Sequence, residues 1–197
     1  MFTVLVSISS PLTQAYYDSI LHKIRIRALT CSCGKEDCLI YHGTYQRIIA
    51  TEDKTVKLDI TRVKCSYCRK THAILLSTIV PYAKVSMPVQ LETIHRLERK
   101  IGVEEILKKN PLIDKSTLTM IMLRYVNNWR ERIRKLMNES GGYLCQDADW
   151  VISENLKECF PDLERKILEG EGCQFMQSRR AFNRLIELEE ENKDNDG

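Results

Sequence analysis

The stretch from Cys31 to His72, CSCGKEDCLIYHGTYQRIIATEDKTVKLDITRVKCSYCRKTH, decides how this chain folds. Its middle alternates, with Tyr45, Arg47 and Ile49 before the polar Thr51-Glu52-Asp53-Lys54 and Val56, Leu58, Ile60 and Arg62 after it. That pattern predicts a β-hairpin turning at 51–54. Closing the hairpin brings the upstream cysteines 31, 33 and 38 to the downstream pair Cys65-x2-Cys68. Four thiolates gathered from two tight turns are the donor set of tetrahedral zinc, in the layout of a zinc ribbon.

Cys65 and Cys68 have the two-residue spacer that lets both sulfurs reach one ion. Upstream, Cys31-x-Cys33 is one residue shorter than that spacer, and Cys33 to Cys38 is two longer. Gly34, directly after a cysteine, permits a tight turn whose N–H groups face sulfur, which favours Cys33, Cys38, Cys65 and Cys68 as ligands of a structural Zn²⁺. Cys31, His42 and His72 stand as alternates, although histidines in such loops more often anchor turns by hydrogen bonding. Five of the eight cysteines fall between 31 and 68, a clustering that scattered core burial does not give. A redox pair would instead want a strand-to-helix setting. Cys145, Cys159 and Cys173 are isolated and read as packing residues.

Outward from the hairpin the periodicity is helical. Ser10 and Pro11 open a helix predicted over 12–29. Beyond Pro81, Leu91, Ile94, Leu97 and Ile101 form a stripe that Gly102 is expected to close in the left-handed conformation. A short helix, Val103 to Lys109, ends at Asn110-Pro111. Asp114 or Ser116 then caps a long helix to about residue 138, with Leu118, Met122, Tyr125, Trp129, Ile133 and Leu136 inward. Gly141-Gly142 reads as a hinge, and further helices are expected near 149–159 and 175–188. The expected fold is therefore α+β: an N-terminal helix and zinc ribbon (1–82), a helix-turn-helix (83–140) and an acidic helical segment (141–197).

A helix, a short helix, a turn and a capped helix is the order in which a recognition helix enters the major groove. Lys115, Ser116, Thr117, Thr119 and Met120 lie off the apolar stripe, with Arg124, Asn127 and Asn128 farther along. Most are side chains that contact phosphates and base edges. Arg130, Arg132, Arg134 and Lys135 continue the charge along the helix. The ribbon adds Lys35, Arg47, Lys57, Arg62, Lys64, Arg69 and Lys70.

The net charge of +3 conceals a division. Residues 1–140 carry 23 Lys and Arg against 13 Asp and Glu, and residues 141–197 carry 7 against 14. A basic body points to a polyanion such as DNA, and the acidic end to a screen or a protein contact. Self-association is open. With 43% hydrophobic and 29% charged residues the chain can bury a core, and no apolar run reaches the length of a membrane span. Met1 to Ile8 is apolar but lacks the basic start and cleavage site of a secretion signal, so a reducing, cytoplasmic setting is expected.

Cys31-Ser32-Cys33-Gly34, His42-Gly43-x-Tyr45-x-Arg47, Arg62-Val63-Lys64-Cys65-x2-Cys68 and Lys70-Thr71-His72-Ala73 resemble a family of uncharacterised bacterial proteins associated with mobile elements. Pro81-Tyr82 and Gln174-Phe175-Met176-Gln177 extend the resemblance to about residue 180. The order of modules is similar to the DNA-recognition end of insertion-sequence transposases, which implies DNA binding by the basic half. Such transposases also carry a large domain with three metal-binding carboxylates. Here 57 residues follow Ser140, fewer than such a domain needs, and Asp147, Asp149 and Glu154 read as a solvated helix start. The expectation is a protein that is not an enzyme.

Overall fold

The computed structural model describes residues 1–139, 156–177 and 182–188. Gly141-Gly142, Cys145, Asp147, Asp149 and Glu154 lie outside the described residues. The architecture is α+β, built on a five-stranded sheet in the order β2-β3-β4-β1-β5.

β2 (Leu39–Ala50) and β3 (Thr55–Cys65) form the expected hairpin, in register from Leu39 opposite Cys65 to Ala50 opposite Thr55. The Thr51 N–H donates to the Lys54 carbonyl at 2.8 Å, closing the turn at the expected residues. A bulge between Tyr41 and Gly43 absorbs one residue, and Gly43 takes a φ of +104°, which its missing Cβ allows. β4 (Thr71–Leu76) pairs antiparallel with the cysteine end of β3.

The apolar start of the chain is the strand β1 (Phe2–Val4), parallel to β4 on one side and to β5 (Arg184–Ile186) on the other. All three residues are buried, and the polar one, Thr3, donates its hydroxyl to the Asn183 Oδ1 at 3.0 Å. β5 lies where a helix over 175–188 was expected. Pairing with β1 supplies its backbone partners, so this sheet joins residues from the first and last expected segments.

α1 (Gln14–His22) is shorter than expected and is capped by Thr13, whose hydroxyl accepts from the Tyr16 N–H. It lies beside the part of β3 that β4 does not reach. The buried Tyr17 hydroxyl accepts from the Thr61 N–H at 2.9 Å and donates to the Ile74 carbonyl at 2.8 Å. Gln14 accepts from the Asp59 N–H at 2.8 Å, so both side chains serve backbone groups along that edge.

The helical half runs α2 (Met87–Glu98), α3 (Val103–Lys109), α4 (Lys115–Arg124), a π turn (Tyr125–Trp129), α5 (Arg130–Glu139) and α6 (Leu156–Glu171). Lys100, not Gly102, takes the left-handed position after α2 at φ +59°, while Gly102 caps α3 at φ −64°. Asp114 accepts from the Thr117 N–H as the expected cap of α4.

The buried positions 121, 125, 129 and 133 are four residues apart, a longer step than the 3.6 of an α-helix. The wider π turn restores their phase and keeps all four on the core side. Phe175 closes that core edge-to-face on Trp129, with ring centroids 5.2 Å apart, and Phe160 of α6 packs beside it. Among the described residues no helix is long and apolar enough to cross a membrane.

Candidate metal centre

Two loops meet at the cysteine end of the hairpin. In the first, the Gly34 N–H donates to the Cys31 carbonyl at 2.9 Å and the Cys31 N–H to the Lys35 carbonyl at 3.0 Å, winding Cys31-Ser32-Cys33-Gly34 into one tight turn. Gly34 completes it at φ +81°, a conformation open to glycine. In the second loop the Arg69 N–H returns to the Cys65 carbonyl at 3.1 Å, and the Cys68 N–H donates to the Cys65 Sγ at 3.3 Å. The Ser66 N–H reaches across to the Cys38 carbonyl at 2.8 Å and holds the loops together.

The Sγ atoms of Cys31, Cys33, Cys65 and Cys68 all lie within 4.8 Å of one another. Cys31 and Cys68 are 3.6 Å apart, and Cys33 and Cys65 3.9 Å. Four thiolates at zinc's usual bond length of ~2.3 Å would stand about 3.8 Å apart at the corners of a tetrahedron. The donor set and its spacing therefore fit a zinc-type ion, with all four positions taken by protein.

The upstream ligand choice differs from the expected one. Cys31 is in the quartet, and Cys38 is not. The turn closed by Gly34 brings Cys31 and Cys33 together despite their short spacer, whereas Cys38 leads into β2 and points its thiol at the Lys35 carbonyl, 3.1 Å away. Burial, then the Cys65 sulfur, push the Cys38 thiol up to about 11, the behaviour of a neutral neighbour. Burial also opposes ionisation of Cys65, but N–H donors from Cys68 and Tyr67 and the adjacent thiols outweigh it and bring Cys65 down to about 6.

His72 and His42 stand outside the quartet. His72 is buried behind Cys31, with Nε2 3.4 Å from Sγ, and its ring packs between Phe2 and Phe182 at 5.3 and 5.9 Å. Burial first, then the chain's own ammonium and Lys70, push this imidazole down to about 4, so it is neutral at pH 7. A neutral imidazole in its Nε2–H tautomer has the geometry to donate to the Cys31 sulfur, the kind of contact that orients a ligand from behind. His42 sits exposed at the β2 bulge.

The expected DNA-contact residues divide. Lys115, Ser116, Thr119, Asn127, Asn128, Arg69 and Lys70 are exposed, with Thr117 and Lys64 half-buried. Arg47 is instead a clasp, its guanidinium donating to the Val80 and Ala83 carbonyls. Arg124 donates to the Met176 carbonyl at 3.0 Å, and Arg62 lies over the Tyr45 ring. Arg130 pairs with Glu98 at 3.0 Å and Arg132 with Glu171 at 3.6 Å. Sequence spacing could not show these partners, because each is at least 17 residues away.

Tyr67, between Cys65 and Cys68 at the tip of the second loop, is an exposed ring that the spacing of the cysteines did not single out.

Residues 30–119 match the model of a domain of unknown function, DUF6431. The matched stretch begins one residue before Cys31, contains the whole quartet and ends within α4. No curated protein and no solved structure matches the chain.

Proposed function

We propose that this is a DNA-binding protein whose basic hairpin is braced by a structural zinc ion in a ribbon-like module, with α2, α3 and α4 acting as a helix-turn-helix. Its role is that of a transcription or mobile-element accessory factor, binding DNA rather than cutting or joining it. The observation that carries the reading is the start of α4. Asp114 caps it, and Lys115, Ser116, Thr119 and Met120 are all exposed there, while Leu118 and Ile121 anchor the opposite side. That leaves a rigid helix end offering phosphate and base contacts on a chain whose first 140 residues are strongly basic.

Selection of bound fragments from a random DNA pool tests the reading. The expected result is enrichment of a defined site, with affinity falling at a log–log salt slope of about −4 for roughly four to five phosphate contacts. No enrichment and no binding even at low salt would overturn it.

A second reading, a protein-interaction adaptor, is favoured by Leu123 and Val126, which follow Met120 and are 51% and 56% exposed. Such apolar side chains suit a protein surface better than a phosphate backbone. Leu123→Ser with Val126→Ser separates the two: an adaptor loses its partner, and a DNA-binding protein keeps its DNA.

A further inference from the structure

Tyr67 occupies an unusual position for a tyrosine. It is 71% exposed, yet it stands at the tip of a loop fixed on both sides, between Cys65 and Cys68 of the sulfur quartet. The loop is closed by the Cys65 N–H to the Lys70 carbonyl at 2.9 Å and by the Arg69 and Cys68 N–H bonds back to Cys65. A ring on such a loop loses little further freedom when something stacks on it. The first cysteine loop contributes Lys35, whose ammonium lies 5.2 Å from the Tyr67 ring centroid. Arg69 and Lys70 follow in the second loop, both exposed, with Arg69 held at φ +64°.

We propose that these two loops form a stacking platform for unpaired bases, with Tyr67 as the ring and Lys35, Arg69 and Lys70 as the phosphate contacts, so that the nucleic acid taken here is single-stranded DNA. The inference rests on the DNA-binding reading and names the form of DNA that this end of the molecule holds. An aromatic face flanked by cations is the chemistry that binds single strands, because every unpaired base offers a π face and every nucleotide a phosphate. Bases inside a duplex are already stacked on their neighbours and cannot offer that face. A protein surface would be matched by a continuous apolar patch, whereas this ring has the Lys35 ammonium against it and the exposed Arg69 and Lys70 in its own loop.

The test is fluorescence anisotropy of the full-length, zinc-loaded chain at low salt, with a labelled oligo(dT) strand of about 12 nucleotides and with a mixed-sequence duplex. Tyr67→Ala is expected to weaken oligo(dT) binding about tenfold and leave duplex binding unchanged, and Tyr67→Phe is expected to restore the single-strand affinity. Metal content of each variant, measured in parallel, is expected to stay that of the parent. Duplex binding with oligo(dT) affinity unmoved by Tyr67→Ala would overturn the platform and leave the DNA-binding reading intact. Absence of binding to either probe would overturn both. Loss of single-strand binding in Tyr67→Phe as well as Tyr67→Ala would also overturn it, since a stacking ring survives the loss of a hydroxyl.

Discussion

The described residues form two apolar cores that are closed by different means. The first lies between the sheet and α1, where Phe2, Val4, Tyr17, Leu58, Ile60 and Ile74 are buried and the sulfur quartet caps one end. The second lies among the helices and is closed by aromatic packing, with Trp129, Phe160 and Phe175 in contact. A small sheet core gains from an ion that fixes its loops, because metal-binding free energy becomes folding free energy. Among the described residues the helical core shows no such cluster, and its packing rests on side-chain fit. It also carries a fully buried carboxyl, that of Glu164, which accepts the Phe175 N–H at 3.0 Å through one oxygen. The first core thus ends on four thiols spaced to hold an ion, while the second encloses a carboxyl that its apolar surroundings keep protonated.

The largest effect expected is on the core capped by the four cysteines. Cys31→Ser removes a corner of the quartet, and Cys38→Ser does not. Metal analysis of the purified variants should find one zinc per chain for Cys38→Ser and a loss for Cys31→Ser, with the β-sheet circular dichroism signal lost alongside. Structural zinc contributes about 10 kcal/mol or more in small sites, so the defect should resemble chelator treatment of the parent. Zinc retained by Cys31→Ser and lost by Cys38→Ser would restore the ligand set that sequence spacing favoured.

That reversal shows where the sequence was informative. The hairpin, its turn at 51–54, the Cys65 and Cys68 pair and the Asp114 cap were legible because each is set by neighbours a few residues apart. The choice between Cys31 and Cys38 was not, since it depends on which thiol the Gly34 turn carries to the far loop. β1 and β5 were hidden for a different reason. Their partners lie about 70 and 180 residues away in sequence, and three residues, Phe2-Thr3-Val4, are too short a run to declare a strand by pattern. Arg47 and Arg124 looked like DNA contacts by residue type, and only folding reveals the carbonyls that occupy them.

A smaller effect, opposite in sign, is expected in the helical core. Burial raises the Glu164 carboxyl from 4.5 to about 8, offset only in part by the Phe175 N–H. The folded state therefore binds this proton more tightly than the unfolded state. Stability is greatest below the unfolded value and falls as pH rises towards 8, by up to about 1.4 kcal/mol per pH unit. Glu164→Gln keeps an oxygen for the Phe175 N–H and removes the ionisation. Urea denaturation between pH 5 and 8 should show a flatter profile and a gain of about 2 kcal/mol at pH 7. An unchanged slope would mean that Glu164 ionises in the folded state without penalty, and the contrast between the two cores would lose its electrostatic half.

The smallest effect tests what joins α1 to the sheet beneath the sulfur quartet. The Tyr17 hydroxyl is buried and bonds two backbone groups of different strands, accepting from Thr61 of β3 and donating to Ile74 of β4. These strands pair with each other only from Arg62 to Lys64, so the tyrosine continues the connection where their ladder stops. Tyr17→Phe keeps the ring and its packing but leaves one N–H and one carbonyl unanswered in a buried setting. The expected cost is about 1 to 2 kcal/mol, read as a lower urea midpoint with an unchanged denaturant slope. Zinc content should not move, because the substitution touches neither cysteine loop. A loss of metal in Tyr17→Phe would show instead that the quartet depends on the alignment of β3 with β4, making the ion a consequence of the sheet rather than its clamp.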